Sequence, residues 1–241
     1  MRIAVLSDIH ANYHALEAVL AAVDAERVDE VWCLGDTVGY GPRPNRCCTI
    51  VRERPALCLA GNHDLAVIGT LSVDEFNGDA AAAVRWTQEV LEDGARAFLT
   101  GLEPAGKREG VELFHGSPLD PVWDYVLSEA AAFLSFKATS APLVLVGHSH
   151  LPLAISWDGT DLSGGLAGEG EVDLSKSRWL LNPGSVGQPR GSDPRAAWLL
   201  VDDQTSQATF RRVPYPIERT QTEIRERGLP EGLATRLALG E

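Results

Sequence analysis

Two histidines one residue apart, His148 and His150, close the stretch LVLVGHSH at 143–150. Near the other end of the chain, Asp8 and His10 follow the apolar run RIAVL. Carboxylate and imidazole groups at such spacings suit the binding of a divalent transition metal. The arrangement recurs three more times. Gly35 and Asp36 follow VWCL, then Gly61, Asn62, His63 and Asp64 follow ALCLA, and His115 follows VELF. Five of the six histidines belong to this set, leaving only His14 outside it. Any one member is weak, since a lone histidine beside an apolar run is usually a satisfied core or surface residue. G-D and G-N-H-D could each be only a turn. Five strand ends all carrying Asp, Asn or His are hard to reconcile with accident.

These residues need elements to bring them together. Residues 2–6, 30–34, 56–60, 111–114 and 142–146 read as short buried strands. Residues 12–25 place Leu16, Val19, Leu20 and Val23 at helical spacing. Residues 45–54 and 128–138 read as helices, as do 74–100 with an interruption near Gly94. The last third is richer in strands, at 152–157, 178–181, 196–202 and 207–213, with SGGLAGEGE at 163–171 read as a flexible loop. Residues 216–227 and 230–239 read as helices. The β-α-β-α-β beginning predicts an α/β fold with parallel early strands. In such sheets sites form beyond the carboxyl ends of the strands, where all five motifs lie. An extended 148–150 segment would point both imidazoles to one side.

The ordered blocks S-D-I-H, G-D-T-V-G-Y-G-P, G-N-H-D, F-H-G-S and V-G-H-S-H resemble the calcineurin-like metallophosphoesterase family, over residues 7 to 150. G-Y-G-P and the later L-N-P-G-S-V-G resemble a bacterial subgroup of small phosphoesterases. The resemblance implies a four-layer α-β-β-α sandwich of two mixed sheets; the chain reads as one domain over 1–241, with 214–241 departing from the common core as a helical extension packed outside. It also implies a two-metal site. Asp8, His10 and His150 would bind one ion, Asn62, His115 and His148 the other, and Asp36 both. A metal-bridging hydroxide would attack phosphorus in line, with His63 as general acid and Asp64 orienting its ring. Mixed imidazole and carboxylate ligands suit Mn, Fe, Zn, Co or Ni better than Ca or Mg. The implied substrate is a small phosphodiester or nucleotide, with dinucleoside polyphosphates as the alternative. A catalytically silent metal-binding scaffold is the alternative of another class, disfavoured by the presence of His63. A one-metal amidohydrolase also uses H-x-H, but ordinarily on its first strand.

Tyr40, Arg43 and Arg190 are candidate substrate contacts, and the turn 182–187 could offer N–H groups to phosphate. Trp123 and Tyr125 could stack on a nucleobase, though aromatics between apolar residues are more often core. The net charge of −13 argues against nucleic acid and anionic membranes as partners. No stretch is apolar enough to span a bilayer. The cysteines, Cys33, Cys47, Cys48 and Cys58, form no C-x-x-C pair, which predicts a reduced, cytoplasmic setting. Residues 214–241 are a candidate homodimer contact.

Overall fold

The computed structural model describes residues 1–54 and 56–241. Two six-stranded mixed sheets pack face to face. The first contains β1 (Arg2–Leu6), β2 (Glu30–Cys33), β3 (Leu57–Cys58), β9 (Gly170–Asp173), β11 (Ala196–Asp202) and β12 (Gln207–Val213), in the order β3-β2-β1-β11-β12-β9. The second contains β4 (Ala105–Arg108), β5 (Val111–Phe114), β6 (Leu143–Leu145), β7 (Leu153–Trp157), β8 (Leu162–Leu166) and β10 (Arg178–Asn182), in the order β4-β5-β6-β10-β7-β8. β1, β2 and β3 run parallel, as do β5, β6 and β10.

Strand alternation assigns the layers. Ile3 and Val5 of β1 meet Leu143 and Leu145 of β6 and Leu199 and Val201 of β11 between the sheets. Ala4 and Leu6 face the other way, onto α1 (Tyr13–Glu26) and α2 (Pro44–Glu53). Val144 and Val146 face outward onto α6 (Glu129–Ala138). A one-residue slip in either sheet would exchange the two cores, so register is tightly specified. The result is the expected four-layer sandwich.

Two expectations need correction, and one strand is not expected from the sequence at all. The helical stretch breaks at Leu91 and Glu92, between α4 (Gly78–Val90) and α5 (Asp93–Thr100), while Gly94 lies inside α5. Asn45 of α2 bridges this break. Its side chain donates to the Val90 carbonyl at 2.8 Å and accepts from Glu92 N–H at 2.9 Å. The 163–171 stretch is no free loop. It finishes β8, which pairs with β7, and begins β9, which pairs with β12 in the other sheet. Glycine permits this, because a Cβ on Gly164 would sit 2.1 Å from the Ala154 carbonyl oxygen. Finally, β4 is an edge strand (AGKR) with no apolar pattern, and its pairing with β5 defines it.

Residues 217–239 form α7 (Ile217–Glu226) and α8 (Glu231–Leu239). Ile224, Leu233 and Leu237 pack with Ala83 of α4, and Tyr40 joins the same cluster. Arg43 binds Glu223 through two hydrogen bonds of 2.6 Å, and His14 reaches the same carboxylate at 3.0 Å.

Candidate metal centre

The loops after β1, β2, β5, β6 and β10 meet at one end of the sandwich. Backbone bonds join them. Asp8 N–H donates to the Gly35 carbonyl at 3.0 Å and His10 N–H to that of Asp36 at 2.9 Å. Gly147 N–H reaches the His115 carbonyl at 2.8 Å. The 182–187 turn backs the first loop, with Val186 N–H on the Ser7 carbonyl and Gly187 N–H on the Asp8 carbonyl. Those two N–H groups are thereby committed, so this turn braces the Asp8 loop.

The backbone carries strain where several of the candidate ligands sit. Asp8, His10, Asp36, His148 and His150 all have φ between 49° and 64°. Each such non-glycine residue costs on the order of 1–3 kcal/mol, which the surrounding contacts must offset. His148 and His150 therefore face one site through left-handed turns, and the extended alternation expected for them is wrong.

All the candidate ligands are buried: Asp8, His10, Asp36, Asn62, His115, His148 and His150. Asp8, His10 and His150 offer ligand atoms within 4.8 Å of one another, and so do Asp36, His115 and His148. Asp36 Oδ2 lies 3.6 Å from His10 Nε2 and 3.5 Å from His115 Nε2, between the two groups. His115 Nε2 is 3.2 Å from Asn62 Oδ1. His63 N–H occupies Asp36 Oδ1 at 2.9 Å, leaving Oδ2 free. Gly61 makes that approach feasible, since a Cβ there would lie 2.0 Å from Asp36 Oδ1.

The donor set fits cations. Both oxygens of Asp8, Oδ2 of Asp36 and Nε2 of His148 are buried without a hydrogen-bond partner. Such groups are costly unless something electropositive meets them. The imidazoles are also oriented for ligation. Nδ1 of His10, His115 and His150 lies 3.1, 2.9 and 2.8 Å from the carbonyls of Val38, Leu34 and Gln188. A carbonyl only accepts, so each Nδ1 carries the hydrogen and each Nε2 presents a lone pair. The Nε2 atoms of His10 and His150 face each other at 3.0 Å. Two lone pairs that close repel unless a cation lies between or beside them.

Burial dominates the titration behaviour. It pushes the Asp8 carboxyl up to about 7 and Asp36 well above the usual carboxylate range. It holds His10, His115 and His150 well below the usual imidazole range and His148 at about 4. Neutral imidazoles are the form that ligates.

An open pocket of about 130 Å³ leads to this cluster, lined in part by Tyr40, His63, Phe76, Trp123, Tyr125 and Arg190. Tyr40 packs its ring 4.6 Å from His10 and 4.4 Å from His63. Tyr125 stacks on His148 at 4.0 Å and 15°. Arg190 has its Nε buried without a partner and only long contacts, 3.5 Å to the Ser149 carbonyl and 3.4 Å to Gln188. His63 is buried with Nδ1 unpartnered. Two expected roles fail. Asp64 does not orient the His63 ring. Its oxygens accept from the N–H groups of Thr37, Val38 and Gly61 at 3.2, 3.0 and 3.0 Å, clamping the β2 and β3 loops together. Arg43 is engaged by Glu223 and does not line the pocket. Phe76 and Asn77 escaped sequence reasoning, although a lone aromatic in the polar stretch VDEFNGD was a usable signal.

Residues 1–205 match the calcineurin-like phosphoesterase superfamily domain. The chain is 37% identical to the uncharacterized protein MJ0912 of Methanocaldococcus jannaschii, over 99% of this chain and 98% of that one. Among solved structures it is similar to a metallophosphoesterase from Sphaerobacter thermophilus, at 42% identity and a TM-score of 0.90, covering 100% and 99% of the two chains. The hypothetical protein PH1004 from Pyrococcus horikoshii shares the fold, with a TM-score of 0.82 at 20% identity over 100% and 98% of the chains. With its clustered ligands and this match over most of its length, the chain belongs to the calcineurin-like phosphoesterase superfamily.

Proposed function

We propose that this chain is a two-metal phosphoesterase that hydrolyses small phosphodiesters. The observation that carries the reading is Asp36 Oδ2, buried, unbonded and set between His10 and His115. Asp8, His10 and His150 would hold one transition-metal ion, Asn62, His115 and His148 a second, and Asp36 both. When bound, the ions would supply Lewis-acid activation of water and neutralise charge on the phosphoryl oxygens. The 42% identity to a metallophosphoesterase supports the same reading.

The remaining steps belong to side chains. Arg190 has free donors at the pocket wall and can turn toward a phosphoryl oxygen. His63 is fixed between Tyr40 and Phe76. Burial holds its imidazole near 3, so the neutral ring is the resting form. A dianionic transition state beside it would favour protonation, and its N–H would donate to the leaving-group oxygen. Asp64 serves by keeping the loops of Asp36 and His63 in one place. The four free cysteines fit a reducing, cytoplasmic location.

Two measurements test this. Metal analysis of the loaded protein should find two ions per chain. A turnover screen should favour a phosphodiester over a phosphomonoester, a cyclic nucleotide and a dinucleoside tetraphosphate. One ion per chain, or no phosphoester hydrolysed, overturns it.

A further inference from the structure

We infer that the pocket binds the leaving group of its substrate as a planar, uncharged ring system, of the kind a nucleoside carries. This rests on the phosphodiesterase reading and specifies which half of the substrate is recognised. Phe76 and Trp123 come from different loops and form a ring pair 5.2 Å apart. Phe76 also lies 4.9 Å from His63. His63, Phe76 and Trp123 thus form a run of rings along the pocket wall, whose Trp123 end meets His148 through its backbone. In hydrolysis, water oxygen bonds to phosphorus, the ester P–O bond breaks, and the departing oxygen takes a proton at the His63 side. The departing group is therefore the one that meets Phe76 and Trp123. Both are only half-buried; Phe76 backs onto the core cluster of Val38, Val67 and Val84, and Trp123 belongs to no such cluster among the described residues.

Polar groups at the rim add an edge to read. Asn77 lines the pocket as the residue capping α4, yet its amide makes no capping bond and keeps its donors and acceptor. Glu75 presents a carboxylate there, with Oε1 accepting from Ser72 N–H at 3.3 Å and Oε2 available to an exocyclic amine. Against this, Arg190 is the one cationic side chain among the described lining residues. A carboxylate at the rim and a single guanidinium suit a neutral leaving group and oppose a polyphosphate chain.

The test is calorimetric binding of AMP and ribose 5-phosphate to the manganese-loaded protein, since the two differ only in the ring. Stacking on an aromatic pair predicts AMP binding about tenfold or more tightly. Trp123→Leu should bring the two dissociation constants together, and Trp123→Phe should keep them apart. Phe76→Leu is the second variant should Trp123→Leu lower the melting temperature. Equal affinity for the two ligands in the native protein overturns the inference, even if phosphodiesters are hydrolysed. So does a folded Trp123→Leu with its preference intact. Tenfold tighter binding of diadenosine tetraphosphate than of AMP overturns the uncharged-leaving-group part. A persistent AMP preference without any turnover supports ring recognition and isolates the failure to the catalytic reading.

Discussion

The two halves of the candidate metal centre are built differently. Asp8 and His10 do not line the pocket, His150 meets it only beside them, and both imidazoles are pinned through Nδ1 by carbonyls of other loops. In the other half, His148 lies under Tyr125, which is 44% exposed, and Asn62 and His63 open onto the pocket. The pinned half resembles a clamp whose geometry the fold dictates. The open half is where a substrate can arrive and where side chains can still adjust. Damage to the first should remove metal, and damage to the second should alter how substrate is handled.

The harshest way to break this contrast is Asp36→Asn, because Asp36 faces both halves. Turnover should fall on the order of 10³-fold or more, with fewer than two ions per chain by elemental analysis. Two ions and near-native rates would refute the bridging assignment. His63→Ala sharpens it: both ions should remain while kcat drops by about 10²–10⁴ on poor leaving groups. Near-normal turnover with full metal would remove His63 from the chemistry. The pinned half should also bind metal in a pH-dependent way. Asp8 keeps its proton up to about 7, and the ion must displace it. Affinity measured by chelator competition should rise at least about tenfold per pH unit below that value, because Asp36 is also held well above the usual carboxylate range. A flat profile from pH 5.5 to 7 contradicts this. Tyr125→Ala should weaken one ion by about tenfold and leave the other unchanged, so equal loss of both would blur the distinction. The smallest effect is remote from both halves. Arg43 holds the Glu223 carboxyl below its usual range. A depressed folded value means its stabilisation is complete above the unfolded value and is lost as pH falls through the folded one. Glu223→Gln should therefore cost about 1 kcal/mol at neutral pH, with a shallower acid limb of the melting curve. An unchanged acid limb would count against the clamp.

Much of this was legible in the residues. Two-residue alternation in RIAVL and PLVLV sorted side chains between two cores, and the metal-binding types stood at strand ends. What was hidden depended on partners distant in the chain. The α4–α5 break is bridged by Asn45, some 45 residues away. β8 and β9 look like a polar, glycine-rich loop until edges of opposite sheets pair with them. The same holds within the site. Asp64 follows His63 directly, yet backbone N–H groups from the β2 loop capture its carboxylate first. Arg43 sits in a loop beside Asp36, but Glu223 arrives from α7.

The left-handed backbone beneath Asp8, His10, Asp36, His148 and His150 has an evolutionary consequence. Glycine would relax each of those positions while deleting a candidate ligand. A selection for heat tolerance alone would drift toward glycine there and discard the chemistry first. Only selection on turnover keeps bulky polar groups in conformations the chain would otherwise avoid.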